Sequence, residues 1–381
     1  MKSSFKFVLA LPFFAATAFG AVSDYMHQPY ISTRVMGMGG AFTALADDYN
    51  ALYYNAAGLA RLHKSELNLE LQVGGSPSIL TLYNSISAAG SNPNALTNVL
   101  QSNYGSHYSS RVILGGTYVW PDWGFGFIPL DFTVEADITA LEAAAVGLEA
   151  YQDSTIQLGR AWNIGDAHRF SIGIAPKAVY RAFIDKTIYA IDLISNSGSL
   201  VKLSDANEGL TFDADLGALY IFKAPEGGWF GCQSCVFSAG AAIRNVVDEG
   251  FPVDEHLYSG QSLPIQETIG NMNRRFDVGT RFDLPDVFIF HPRLVVDGRD
   301  MGSPLANTKK CLHAGAELLW EASESIHGAY RFGISEGYLT GGLSVSLSAL
   351  SIDIATYSED IGTIGAPEES RRYMAQLSAD F

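Results

Sequence analysis

The sequence predicts an all-β protein, a transmembrane antiparallel β-barrel of about fourteen strands. Three observations lead there. Apolar and polar residues alternate in segment after segment up to the last residue, charge keeps to one phase of that alternation, and all five tryptophans gather at one inferred rim. Composition sets the frame. With 48% hydrophobic, 12% aromatic and 17% charged residues the chain is unlike a disordered one. After residue 20 it nevertheless holds no apolar run long enough for a spanning helix. A formal charge of −16 argues against a nucleic-acid partner, which needs a basic face.

The chain opens on a targeting segment. Lys2 and Lys6 form a basic start, Phe7 to Phe14 an apolar core, and Ala18-Phe19-Gly20 a small-residue cleavage site. We therefore expect a signal peptide over 1–20 and an exported mature chain. The barrel is expected over 65–381. Its strands are expected at Ser65–Val73, Arg111–Trp120, Trp123–Val134, Ser154–Asn163, His168–Ala182, Gly209–Phe222, Cys235–Val246, Arg274–Leu284, His291–Asp300, Lys309–Glu321, Ser325–Ile334, Tyr338–Ser348, Leu350–Tyr357 and Arg372–Phe381. The first shows the pattern: Leu67, Leu69, Leu71 and Val73 share one face, and Glu66, Asn68, Glu70 and Gln72 the other.

A soluble sandwich would scatter its charge over a wet face. Here Arg275, Asp277, Arg281, Asp283, Arg293, Asp297, Arg299, His313, Glu317, His327 and Arg331 fall in one phase, and the opposite phase is almost uncharged. That is the texture of a polar lumen beside a lipid-facing band. Connection lengths agree. Gly74–Ser110, Glu135–Asp153, Phe183–Glu208 and Asp248–Asn273 are long and assigned outside, whereas Pro121-Asp122, Ile164–Ala167, Ala322–Glu324 and Ala349 are short and assigned to the periplasm. Lys223–Ser234 is the exception. Trp120, Trp123, Trp162, Trp229 and Trp320 all fall at periplasmic ends, where interfacial anchors belong. The last strand alternates through Tyr373 to the terminal Phe381, as a strand that closes a barrel must.

Between signal peptide and barrel, residues 21–64 do not alternate. Arg34 to Leu62 is rich in small residues, with Gly37, Gly39 and Gly40 early, Asp47-Asp48 in the middle, and then Asn55-Ala56-Ala57-Gly58-Leu59. This resembles the N-terminal hatch, or plug, of FadL-type outer-membrane transporters of hydrophobic compounds and of their PorV-type relatives. Glu336 to Gly342 looks like the late hairpin of the PorV-like branch. The family has Pro where this chain has Ala56, while Asn55 remains in position to cap the following turn. The resemblance implies a barrel of about fourteen strands and a plug inside it. It also implies that Tyr373 and Phe381 belong to the signal read by the barrel-assembly machinery. Two buried carboxylates require opposite charge, so Asp47 and Asp48 are expected beside lumen arginines.

Other signals lead less far. Gly37-Met38-Gly39-Gly40 lacks a preceding strand and the spacing of a phosphate loop. Gly333-Ile334-Ser335-Glu336-Gly337 matches the hydrolase G-x-S-x-G string, but a second strand follows where the elbow needs a helix. Cys232 and Cys235 have redox spacing in a turn, and a local disulfide or inert thiols are expected. Cys311 is assigned to the lumen phase. His313, His327 and Glu317 would make a poor metal site amid arginines. No enzyme activity, metal or cofactor is expected.

Two functions follow from the resemblance. In the first the barrel takes up a hydrophobic small molecule, with Ile79, Leu80, Leu82, Tyr83 and Ile86 of the first outer loop at its mouth. Release is then lateral, at the third strand, where Pro129 stands in a strand that also holds Gly124 and Gly126. FadL-type proteins are similar in having a kink in that strand. In the second the barrel is a scaffold for secreted or surface proteins, which the charged lumen favours. Outer-membrane lipid and lipopolysaccharide surround it in both.

Overall fold

In a computed structural model the described residues are 27–380, apart from 91, 140–144, 166–168, 190–204, 226–227, 230–231, 233–234, 255–256, 258–271, 305, 324 and 363–365. Residues 1–26, which include the expected signal peptide, and Phe381 lie outside them.

Fourteen strands close into one antiparallel barrel. They are β1 (Glu66–Gly75), β2 (His107–Trp120), β3 (Trp123–Thr139), β4 (Ala145–Ile164), β5 (Phe170–Tyr189), β6 (Asn207–Ile221), β7 (Phe237–Arg244), β8 (Arg275–Asp283), β9 (Phe290–Met301), β10 (Leu312–Ser323), β11 (Ile326–Ser335), β12 (Tyr338–Leu347), β13 (Leu350–Asp360) and β14 (Glu369–Asp380). Each pairs with the next, and β14 returns to β1 with Tyr373 opposite Gly75 and Leu377 opposite Leu71. Closure leaves no free edge among the fourteen, which a barrel in lipid requires. Two-residue strand Val253–Asp254 pairs with the outer end of β6, beyond the point where β7 stops.

The alternation sorts as the sequence predicts. On β8 and β9, Arg275, Asp277, Asp297 and Arg299 are buried inward, while Phe276, Val278, Leu294 and Val296 are exposed outward. The five tryptophans stand at the end with short turns, which is the periplasmic end of such barrels. Trp123 and Trp162 are exposed there, and the Arg160 guanidinium lies 4.5 Å and 5.4 Å from their ring centres.

The strands differ from expectation most on one side. Glu135–Asp153, expected as a long loop, is mostly strand: β3 runs on to Thr139, β4 begins at Ala145, and β5 extends to Tyr189. The sequence there is rich in Ala and Glu, residues of low strand propensity, and cross-strand pairing overrides it. Phe183–Glu208 is likewise shortened by strand at both ends. The first outer connection carries helices α3 (Ile79–Ala89) and α4 (Pro93–Ser102), the latter capped by Asn92. In the Lys223–Ser234 region Cys232 is disulfide-bonded to Cys235. Cys311 is a free thiol in a four-residue helix, Thr308–Cys311, ahead of β10, so it does not sit in a strand phase.

Residues 27–62 are the most buried part of the chain. They form two short helices, α1 (Thr33–Gly37) and α2 (Ala51–Tyr54), and the 3₁₀ turn Ala56–Arg61. Val35, Met38, Phe42, Leu45, Leu52 and Leu59 form a core with wall residues Ile113, Ile128, Ala161, Ala175 and Val295. At the outer end His27 reaches Asp153, 2.9 Å away, and at the periplasmic end the Leu59 carbonyl accepts from the Asp122 amide at 3.0 Å.

Candidate functional site

Chemistry inside the barrel centres on residues 27–62 and the wall facing them. Arg34 is the hub. Its Nε and Nη2 donate to Glu317 of β10 at 2.9 Å and 2.7 Å, and its Nη1 donates to Asp47 at 3.0 Å and Asp48 at 2.6 Å. Glu317 also receives Arg331, 2.8 Å away, and Arg331 in turn reaches Asp353 at 3.0 Å. Arg293 donates to Asp47 at 2.6 Å. Burial pushes both aspartates up, but Arg34, Arg293 and Arg281 outweigh it at Asp47, whose carboxyl is held below the usual range; at Asp48 burial wins and the carboxyl is raised. The expected pairing with wall arginines therefore holds for Asp47 through Arg293. Asp48 is instead neutralised from within its own segment, by Arg34.

The glycines of this segment mark close approach. Gly39 and Gly40 have φ of 70° and 81°, and a Cβ on Gly39 would lie 2.5 Å from the carbonyl oxygens of Ala314 and Ile334. Gly37 abuts Gly342, and a Cβ on Gly58 would strike the Ala46 carbonyl. Wall side chains then satisfy the backbone so exposed. Asp297 accepts from the Phe42 and Thr43 amides at 2.7 Å each, Arg299 donates to the Gly40 carbonyl at 2.5 Å, and His313 Nδ1 is 2.6 Å from the Gly39 carbonyl. Asn55 caps as expected, accepting from the Ala57 amide at 3.1 Å, and also donates to the Thr43 carbonyl at 2.7 Å and the Ala218 carbonyl at 3.1 Å.

The remaining lumen charges also pair. Arg281 meets Asp283, and Arg275 donates to the His27 carbonyl at 3.0 Å. Sequence reasoning missed Arg244 and Asp300. Arg244 bonds Asp277 at 2.6 Å and Asp300 at 2.5 Å. Asp300 escaped notice because the register shift between Gly298 and Met301 turns it inward beside Arg299, out of phase with strict alternation. His327 keeps the phase of Arg331, opposite Glu321 in unbroken register, but is exposed because it is the second residue of β11, at the periplasmic rim. Among the described residues no group of His, Cys, Asp and Glu could hold a metal ion.

At the outer mouth the expected apolar stretch is helix α3. Ile79 and Leu82 pack on Leu100, Tyr108 and Ile138, Ile86 is half-buried, and Leu80 and Tyr83 are about 70% exposed. On β3 the ladder shifts register between Ile128 and Asp131, around Pro129. The Pro129 carbonyl accepts from Ser154 Oγ at 2.8 Å and Gln152 Nε2 at 3.4 Å, so side chains of β4 stand in for ladder bonds. Gly124 and Gly126 are filled in behind by Leu52, Leu59 and Tyr53. Tyr373 faces outward, 53% exposed, near the outer end of β14. Below residues 27–62 a cavity of ≈ 640 Å³ opens between Leu45, Ala60, Leu62, Leu219, Ile221 and Val236, rimmed by Asp47, Arg61, His63 and Arg281.

No protein-family model matches the sequence, and no curated protein matches it. Solved structures match in fold. The toluene transporter TbuX of Ralstonia pickettii aligns with a TM-score of 0.50 at 11% identity, over 92% of this chain and 98% of that one. The Pseudomonas putida toluene transporter TodX (TM-score 0.48, 9% identity, 91% and 96% covered) and a Pseudomonas aeruginosa FadL homologue (0.45, 10%, 93% and 98%) align over similar spans. The likeness is one of fold, a closed fourteen-strand antiparallel barrel, which is the fold that the sequence resemblance implies.

Proposed function

We propose that this chain mediates uptake of hydrophobic small molecules across the outer membrane, with residues 21–64 as a hatch in the barrel formed by 65–381 and residues 1–20 removed on export. The observation that carries this reading is the seal. Residues 27–62 fill the lumen and their charges are paired inside it, so an apolar solute has no straight polar-free path through. The wall, by contrast, carries a bulge at Ile128–Pro129, where the ladders to both neighbouring strands shift register. Solute gathers at α3, on exposed Leu80 and Tyr83 beside the more buried Ile79, Leu82 and Ile86, and leaves sideways at the Pro129 bulge, flanked by Gly124 and Gly126. TbuX, the similar barrel, is a toluene transporter. Lipid and lipopolysaccharide surround the wall, and Tyr373 with Phe381 presents the last strand to the assembly machinery.

The test is Pro129→Val. It restores a ladder donor and removes the fixed φ that favours the bulge. Cellular accumulation of a labelled monoaromatic hydrocarbon should fall at equal protein level, with heat-modifiability on gels unchanged. Undiminished accumulation would sink lateral release at β3. If instead no hydrophobic solute accumulates through the wild-type barrel and a secreted protein copurifies in stoichiometric amount, the scaffold reading replaces this one.

A further inference from the structure

The periplasmic turns whose tips are described are mostly small or polar: Pro121-Asp122, Gly165, Ser325 and Ser348-Ala349. The turn between β8 and β9 is different. It reads Leu284-Pro285-Asp286-Val287-Phe288-Ile289, and Val287 and Phe290 close it with reciprocal backbone hydrogen bonds of 2.9 Å and 3.0 Å. Phe288 at its tip has φ of 56°, a conformation that suits glycine and is costly for a bulky side chain. Its ring is 97% exposed, and Val287 and Ile289 are each 52% exposed. An aromatic residue in a glycine's conformation, left 97% exposed by the described residues, points to a use outside the chain.

We propose that this turn is a wedge seated in the phospholipid of the periplasmic leaflet. Position is the argument. The turn continues the lipid-facing wall, directly beyond Phe282 and Phe290, and Phe290 stands opposite Trp320 of the tryptophan rim, with its ring centre 6.5 Å from that of Tyr330. Phe288 is two residues from Phe290, so its ring is within one side-chain length of the hydrocarbon edge. At the base of the turn, exposed Asp286 and His291 are hydrogen-bonded at 2.7 Å, a polar collar at headgroup level. Apolar tip, aromatic neighbours and polar base are the arrangement of an interfacial anchor.

The experiment uses the full chain with Cys311→Ser and Phe288→Cys, carrying a nitroxide label, in vesicles of phosphatidylethanolamine and phosphatidylglycerol. A label at Ser325→Cys, in the β10–β11 turn, is the aqueous reference. Because no neighbour leans on the Phe288 ring, the replacement leaves the fold intact, which heat-modifiability checks. A lipid-seated tip collides with oxygen more often, and with a water-soluble nickel complex several-fold less often, than the reference. Nickel access equal to that at 325 puts the tip in water and overturns the proposal. A label shielded from both quenchers marks a protein contact, with a partner or a second copy, and overturns it equally.

Discussion

The two sides of the barrel hold residues 27–62 by different physics. From β8 to β13 the grip is ionic: Glu317 joins Arg34 to Arg331, Arg293 takes Asp47, and Asp297, Arg299 and His313 satisfy the backbone of 39–43. From β3 to β6 the seat of residues 52–59 is apolar and glycine-lined, and only at the outer end do His27 and Tyr30 meet carboxylates, Asp153 and Asp131. Leu52 and Leu59 press on Gly124 and Gly159, Ala56 and Ala57 on Gly173, and Asn55 on Gly217. The ionic side is built from strands such as β11 and β12, each ten residues long, about the span of a membrane. The apolar side includes strands of seventeen to twenty residues, which reach well beyond it, and the Pro129 bulge. Oriented charges fix register and resist sliding, whereas apolar contacts over glycine are smooth and close. If the segment is the proposed hatch, it should yield first on its apolar side, beside the strand that carries the Pro129 bulge.

The largest effect should come from breaking the ionic side at its centre. Glu317→Ala leaves Arg34 and Arg331 buried without their shared carboxylate, a change of a kind that costs about 3–5 kcal/mol. We expect a lower urea midpoint in micelles and a higher single-channel conductance in planar bilayers as residues 27–62 loosen. Wild-type conductance in a correctly assembled variant would mean that charge does not anchor the segment.

Gly173→Ala attacks the opposite side. The added Cβ would lie 2.4 Å from the Ala56 carbonyl carbon and 2.5 Å from the Ala57 amide nitrogen, so backbone must shift. Overpacking of this kind costs about 1–3 kcal/mol. The expected sign of a yielding seat is a modest fall in the unfolding midpoint with a smaller conductance rise than Glu317→Ala produces. Equal or larger conductance in the glycine variant would invert the comparison.

The smallest effect is a pH dependence carried by Glu336, on the ionic side. Burial, with the Glu359 carboxyl close by, pushes the Glu336 carboxyl up to about 8, against the bond it accepts from the Asp360 amide at 2.6 Å. The folded barrel therefore holds this proton where the unfolded chain has lost it. The resulting stability is fully present below the ordinary glutamate value of 4.5 and is lost as pH rises to about 8. Glu336→Gln should flatten that part of the curve between pH 5 and 8 in equilibrium unfolding. An unchanged slope would place the dependence elsewhere.

The sequence by itself determined the barrel. Period-two alternation is enforced residue by residue, because a one-residue slip would turn Phe276 and Val278 into the lumen and Arg275 and Asp277 into lipid. The strand count, the single tryptophan rim and the inward side of Arg293, Asp297 and Glu317 were legible for that reason. So was the need of Asp47 and Asp48 for cations. Tertiary structure alone decided which cations. Arg34 lies in a segment without periodicity, so no pattern could place it between Glu317 and two aspartates that are thirteen and fourteen residues away. It also decided the long strands β3 to β5, where Ala and Glu disfavour strand locally and pairing across the sheet prevails. Asp300 turned inward only because of a bulge, and a bulge is a relation between two strands rather than a property of either. Local periodicity is written in one segment at a time. Register, bulges and long-range ion pairs exist only once two distant segments have met.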